Sequence, residues 1–240
     1  FIMACNELFE GSRVTIEHSL SNGLYCEVHM DESLSEKDVC AIKQRMIDIV
    51  KNNYTIDKIS TDRKEGIEIF ENYGMYEKAQ LLKYKEYDDV KIYKCNQHIN
   101  HFYGYMLPST GYIKTFDLKL YNNGVIVLGP SEEDKTIPAK FKSQPKLASV
   151  YNEAEKWSKL LGVDKVTTLN KIIQDHDYGD VIRTVEALHE KKLSQIADII
   201  KDKEKRVILI AAPSSSGKTS FAHRLSIHLR VNNLKPVSIS

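Results

Sequence analysis

Near the end of the sequence, Pro213, Ser214, Ser215 and Ser216 lead into Gly217, Lys218, Thr219 and Ser220. These residue types in this order suit phosphate chemistry. A glycine lets the backbone approach an anion, a lysine brings a positive charge on a long stem, and a threonine hydroxyl can ligate Mg²⁺. Residues 213–220 would cradle the phosphates of ATP, with backbone N–H groups supplied from Ser214 onward because Pro213 has none. Lys218 would bridge the β- and γ-phosphates as the catalytic cation, and Thr219 would hold the metal. Ala212 stands where the GxxxxGK[ST] pattern has its first glycine, which costs about 1 kcal/mol if that position needs positive φ. The bland alternative is a serine-rich turn that caps a helix. The register of Gly217, Lys218 and Thr219 between an apolar run and a periodic helix favours the phosphate loop.

A second set of chemical side chains is Cys95, His98 and His101 in CNQHINH. Three ligands at this spacing would share one face of a helix and could hold Zn²⁺. The flanking tyrosines favour a strand or loop, where residues three apart face opposite ways, so a polar surface or pocket rim is the preferred reading. His18 and His29 read as surface residues, and His189 as a packing or capping residue on a helix. The tyrosine-rich stretch 73–105 could stack on RNA bases, but amphipathic core edges are the commoner use of such residues.

Composition narrows the classes. A hydrophobic fraction of 42% and a charged fraction of 28% describe an ordinary globular chain. With 34 basic and 33 acidic residues the net charge is +1. No global field draws such a chain to nucleic acid or to a membrane, so any such binding must come from a local patch, and nucleic acid is the less expected partner. The four cysteines, Cys5, Cys26, Cys40 and Cys95, form no CxxC pair, which fits a reducing, cytoplasmic setting. No apolar run approaches the roughly 20 residues that span a bilayer. Phe1 rather than Met opens the chain, which implies that the true N-terminus is lost.

The elements that must position these groups follow from periodicity. A strand is expected over 24–30. Ser35 caps a helix carrying Val39, Ile42, Met46, Ile49 and Val50 on one face, and Asp62 caps another carrying Ile67 and Phe70 that stops near Gly74. Two β-rich runs flank Asn122, Asn123 and Gly124 as a hairpin. After a loop over 131–144, one helix presents Leu147, Val150, Tyr151, Ala154, Trp157 and Leu161, and a second, over 180–203, presents Val181, Val185, Leu188, Ile196, Ile199 and Ile200. The apolar run 206–212 reads as a strand buried on both faces of a parallel sheet. Phe221, Leu225 and Leu229 then mark the helix after the phosphate loop, and KPVSIS starts a further strand.

The run ALHEKKLSQIADII followed by VILIAAPSSSGKTSFAHRLSIHLRVNNLKPVSIS resembles the opening of the phosphoribulokinase/uridine kinase family, with PSSSGKTSFAHRL as its most specific part. The resemblance implies an ATP- and Mg²⁺-dependent transfer to a nucleoside 5′-hydroxyl, by a catalytic Asp that follows the second strand; the chain ends at Ser240, about where that motif would begin. Upstream, the segment from Ser33 to GYMLPSTGYIKTFDLKL is similar to the second N-terminal domain of threonyl-tRNA synthetases. That domain hydrolyses mischarged tRNA with a HxxxH and a CxxxH pair. Alignment on Pro108–Gly111 puts the Cys position of CxxxH on Phe102 and its His position on Met106, and HxxxH has no counterpart here.

The expected architecture is an α+β synthetase-like domain over 1–145, a helical linker over 146–203, and over 204–240 the first strand–loop–helix unit of an α/β phosphate-loop kinase. The leading expectation is a uridine kinase-like enzyme taking ATP and a nucleoside, with this 240-residue segment inactive alone. A second reading is an RNA- or aminoacyl-tRNA-binding module with a degenerate editing pocket. A third is a purely structural role as a dimerisation or regulatory platform for the kinase, which would make the protein a homo-oligomer in the first case.

Overall fold

The computed structural model describes residues 1–86 and 88–239. Tyr87 of the tyrosine-rich stretch and Ser240 of KPVSIS lie outside the described residues. The chain separates into two compact units, Phe1–Trp157 and Ser158–Ser240.

The first unit is mixed α+β with two antiparallel sheets. After α1 (Ile2–Leu8), strands β1 (Arg13–Leu20) and β2 (Gly23–His29) form a hairpin, and α2 (Glu36–Asn52) follows. Ser35 caps α2 as its side chain predicts: the Asp38 N–H donates to Ser35 Oγ at 3.3 Å, and the Ser35 N–H donates to Asp38 Oδ2 at 2.8 Å. Then come β3 (Ile56–Thr61), α3 (Arg63–Asn72), α4 (Tyr76–Leu82), β4 (Val90–Cys95) and β5 (His98–His101). Asp62 caps α3 by accepting from the Glu65 N–H at 2.9 Å. The unit closes with the hairpin β6 (Asp117–Tyr121) and β7 (Gly124–Leu128), whose turn takes Asn122 to a φ of 52°, and with α5 (Pro145–Leu160), which runs across the boundary between the units.

One sheet has the order β1-β2-β7-β6 and the other β3-β4-β5. The four-stranded sheet is covered on both faces. Val28, Leu118 and Val125 point to α1 and α2, where they meet Cys5, Val39, Ile42, Met46 and Ile49. Tyr25, Ile126 and Leu128, one residue out of phase along the same strands, point the other way and pack with Leu20 and Ala148 of α5. The predicted face of α5 is therefore corrected. Leu147, Val150 and Tyr151 are exposed, and the small Ala148 is the residue that enters the core. The three-stranded sheet buries Val90, Ile92 and Ile99 against Phe70 of α3 and against Ala79 and Leu82 of α4.

The second unit is helical, with α6 (Val166–Gln174), α7 (Tyr178–Asp202) and α8 (Lys218–Val231). Leu193, Ala197 and Ile200 of α7 pack on Leu225 and Leu229 of α8. The strand expected over 206–212 is not formed. The segment stays outside any ladder, with Val207 78% and Leu209 90% exposed. Residues 235–239 are likewise outside any strand. An extended segment becomes a strand only when a neighbour takes up its N–H and C=O groups. Among the described residues this unit contains no strand to do so, and a phosphate-loop α/β unit is not shown.

Candidate functional site

The PSTG segment, Pro108–Gly111, is locked onto the end of α2. Asn53 closes that helix in the left-handed conformation, with φ 50° and ψ 48°. Its side-chain Oδ1 accepts from Ser109 Oγ at 2.5 Å and from the Gly111 N–H at 3.1 Å. A Cβ at Gly111 would collide with the same Asn53 side chain, so this position requires glycine. Thr110 is buried and acts in both directions: its hydroxyl donates to the Ile49 carbonyl at 2.8 Å and accepts from the Tyr54 N–H at 3.0 Å. The Thr110 N–H donates to the Tyr54 carbonyl and the Ile56 N–H to the Pro108 carbonyl, each at 2.9 Å. The Ile49 carbonyl in the last turn of the helix and the loop that meets it are thus satisfied together.

This clamp holds up a loop that carries large exposed side chains. Tyr103 is 80%, Tyr105 98% and Tyr112 60% exposed, and Met106, Leu107 and Ile113 are exposed beside them. Beneath the loop the buried Tyr93 donates its hydroxyl to the Gly104 carbonyl at 2.8 Å, and its ring lies 6.3 Å from that of Phe102. The Lys85 ammonium sits 5.8 Å from the centroid of the Tyr103 ring. The tyrosines are therefore divided. Tyr93 is core, whereas Tyr73, Tyr76, Tyr84, Tyr103 and Tyr105 are exposed rather than core edges. Phe102 and Met106, at the positions where the resemblance places Cys and His, bring neither a nucleophile nor a base. Asn53 is the organising residue that periodicity does not reach, although an asparagine directly after a helix is a known signal for a left-handed cap.

Cys95, His98 and His101 do not converge. Cys95 and His98 are cross-strand partners in the β4–β5 hairpin. His98 Nε2 lies 3.3 Å from Glu7 Oε1, and burial leads the causes that push the Cys95 thiol up. His101 Nδ1 contacts the Lys91 carbonyl at 2.6 Å, which makes Nδ1 the N–H donor; Nε2 is buried without a hydrogen-bond partner. His18 stacks on Tyr151 with ring centroids 3.6 Å apart, and burial lowers its pKa. His189 lies on the exposed side of α7.

In the second unit, Lys218 opens α8 and curls back to donate to the Ala212 carbonyl at 2.8 Å and the Pro213 carbonyl at 2.6 Å. Gly217 is the N-cap in left-handed geometry with φ 80°, and the Phe221 N–H donates to its carbonyl at 2.9 Å. The other positive φ of the loop falls on Ser215, at 58°. Ala212 is not in the left-handed region, so the missing first glycine carries no local strain. Ser214, Ser216, Thr219 and Ser220 flank these residues with exposed or half-exposed side chains.

No family model matches the chain. Curated proteins do. A threonine–tRNA ligase of Nitratidesulfovibrio vulgaris (strain DP4) is 30% identical over 119 residues, 49% of this chain. Threonine–tRNA ligases of Rickettsia akari (strain Hartford) and Geobacillus sp. (strain WCH70) are each 32% identical over 116 residues, 48% of this chain. The chain spans 18% of the length of each of these relatives. About half of the chain is accordingly a threonine–tRNA ligase-like region. This finding overturns the expectation of a uridine kinase or phosphoribulokinase-type phosphotransferase acting on a nucleoside, since the relatives carry ligase names and none of them names a kinase. The ligase names of the relatives equally run against ranking nucleic acid as the less expected partner on a net charge of +1. Net charge averages over the whole surface, and a local aromatic and basic patch escapes that average.

Proposed function

We propose that the first unit binds the single-stranded end of a tRNA or aminoacyl-tRNA on the loop between Phe102 and Ile113. The observation that carries this reading is the clamp of Asn53 and Thr110 on Pro108–Gly111, which presents Tyr103, Tyr105 and Tyr112 to solvent from a rigid base. Exposed aromatic rings beside lysines suit unpaired bases, because every base offers a face for stacking. The names of the relatives support the choice of RNA over other aromatic partners. The reading is binding rather than hydrolysis, because Phe102 and Met106 supply no group that activates water. The test is fluorescence anisotropy of labelled tRNA titrated with the full chain. Saturable binding that weakens with added salt and falls in Tyr103→Ala/Tyr105→Ala is expected. Absence of saturable binding, or identical binding by the double variant, would overturn it.

A second reading concerns residues 213–220, favoured by the loop in which Lys218 and the left-handed Gly217 meet the start of α8. We propose that Pro213, Ser214, Ser215, Ser216, Gly217, Lys218, Thr219 and Ser220 take the phosphates of ATP, with Thr219 on Mg²⁺. Lys218 would exchange two carbonyl partners for phosphate oxygens. On this reading the chain divides into 1–145, 146–203 and 204–240. Titration of a fluorescent ATP analogue with Mg²⁺ is the check, and equal affinity in wild type and Lys218→Ala would remove it.

A further inference from the structure

The β1–β2 hairpin carries a group of side chains that the tRNA reading leaves unused. Glu17, Glu27 and His29 each bring one ligand atom within 4.8 Å of the others, and among the described residues they are the one group of three to do so. The chain achieves this with an irregularity. Along the hairpin Ile16 pairs with Cys26 but His18 pairs with Tyr25, so Glu17 is the extra residue of a β-bulge. A bulge bends the strand and re-aims its side chain. Glu27 and His29, two apart on β2, share a face by the period of the strand.

The surroundings hold two of the three side chains in place. Thr15 Oγ1 lies 2.8 Å from His29 Nε2 and fixes the imidazole ring. The buried Tyr25 donates its hydroxyl to Glu27 Oε1 at 3.1 Å. Supports of this kind orient the ligands of metal sites. Among the described residues neither Glu17 nor Glu27 forms an ion pair with lysine or arginine. Arg13, the cross-strand partner of His29, gives its guanidinium to Glu77 at 3.1 Å instead. Two carboxylates thus converge on an imidazole with no cationic side chain paired to them.

We propose that Glu17, Glu27 and His29 bind one divalent transition-metal ion of the Zn²⁺ class. One nitrogen and two carboxylate oxygens without a thiolate suit a borderline ion over a soft one, with water completing the shell. Glu17, the exposed and unanchored member of the group, closes to bonding distance by rotamer adjustment.

The test is isothermal titration of chelator-treated full chain with ZnCl₂, with MgCl₂ as the comparison. One Zn²⁺ per chain is expected, weakened about tenfold or more in Glu17→Gln and in His29→Gln, and unchanged in Cys95→Ser. Circular dichroism melts verify that each variant folds. A Co²⁺ spectrum supplies a readout that needs no variant: ligand-field bands without a thiolate charge-transfer band support the site. Absence of stoichiometric Zn²⁺ binding, equal affinity in the Glu17 and His29 variants, loss of binding in Cys95→Ser, or a thiolate band would each overturn it.

Discussion

Thr110 and Ile49 are joined by a buried hydrogen bond of 2.8 Å that ties the PSTG loop to the last turn of α2. Because the same hydroxyl accepts from the Tyr54 N–H, Thr110→Val strands the Ile49 carbonyl and a half-buried N–H at once. A loss of about 2–3 kcal/mol in urea unfolding is expected, with Thr110→Ser retaining most of the stability. Equal stability of the valine variant would show that the clamp does not hold the loop.

The exposed rings of Tyr103 and Tyr105 contribute little to the core. Replacing both by alanine is expected to leave the melting temperature within a degree or two, since exposed substitutions change stability by about 0.5 kcal/mol or less. Affinity for tRNA is expected to fall about tenfold or more, because each stacked base contributes about 1–3 kcal/mol. Anisotropy and a thermal melt on the same samples separate the two effects.

Burial pushes the Cys5 thiol up to about 12 and the Cys26 thiol up to about 11, whereas Cys40 is exposed. Near neutral pH a thiol with so high a pKa contains almost no thiolate, the reactive form. Thiol reagents are expected to label Cys40 in the folded chain and to reach Cys5 and Cys26 only on unfolding. Peptide mapping after a brief native reaction tests this.

In the second unit Glu190 accepts from His228 Nε2 at 2.6 Å and from Arg224 Nε at 2.8 Å. The hydrogen bond from His228, then that from Arg224, holds its carboxyl below the usual glutamate range. A depressed folded value means that the contribution is fully present above the unfolded glutamate pKa. It is lost as pH falls through the folded value. Hydrogen exchange across α8 is therefore expected to accelerate below the ordinary glutamate range in wild type. In Glu190→Gln that acid-induced step should be absent.

Ser215 occupies the left-handed region at φ 58° without the freedom of glycine. Ser215→Gly relieves that cost, offset in part by the greater entropy of glycine in the unfolded chain. Slower amide exchange at the start of α8, by a net of about 0.5–1 kcal/mol, is the expected outcome. Faster exchange would mean that the serine side chain itself stabilises the turn.

Local signals were legible where neighbours in sequence supply the physics. Ser35 and Asp62 cap the helices they precede by accepting from an N–H three residues on, and Asn122 makes the turn of the β6–β7 hairpin by taking a positive φ. The candidate site was legible only in part. The PSTG segment stood out by resemblance, but Asn53 lies 58 residues from Gly111 and no periodicity links them.

The sequence by itself determined α2, α3, α5 and the β6–β7 hairpin of the first unit, since caps, turns and apolar periods act over a few residues. Tertiary structure decided which of those surfaces face one another. Ala148 entered the core with Leu20, Tyr25 and Leu128, whereas Leu147 and Val150 stayed exposed, because the position of the sheet sets which face of α5 is covered. Residues 206–212, apolar enough for a buried strand, stayed outside any sheet because a strand exists only through its partner. Tyr93 went inside, where its hydroxyl reaches the Gly104 carbonyl across the sequence, while Tyr103 and Tyr105 stayed outside. A sequence names the groups that can stack, ligate or hydrogen-bond, but contacts across tens of residues fix which of them meet.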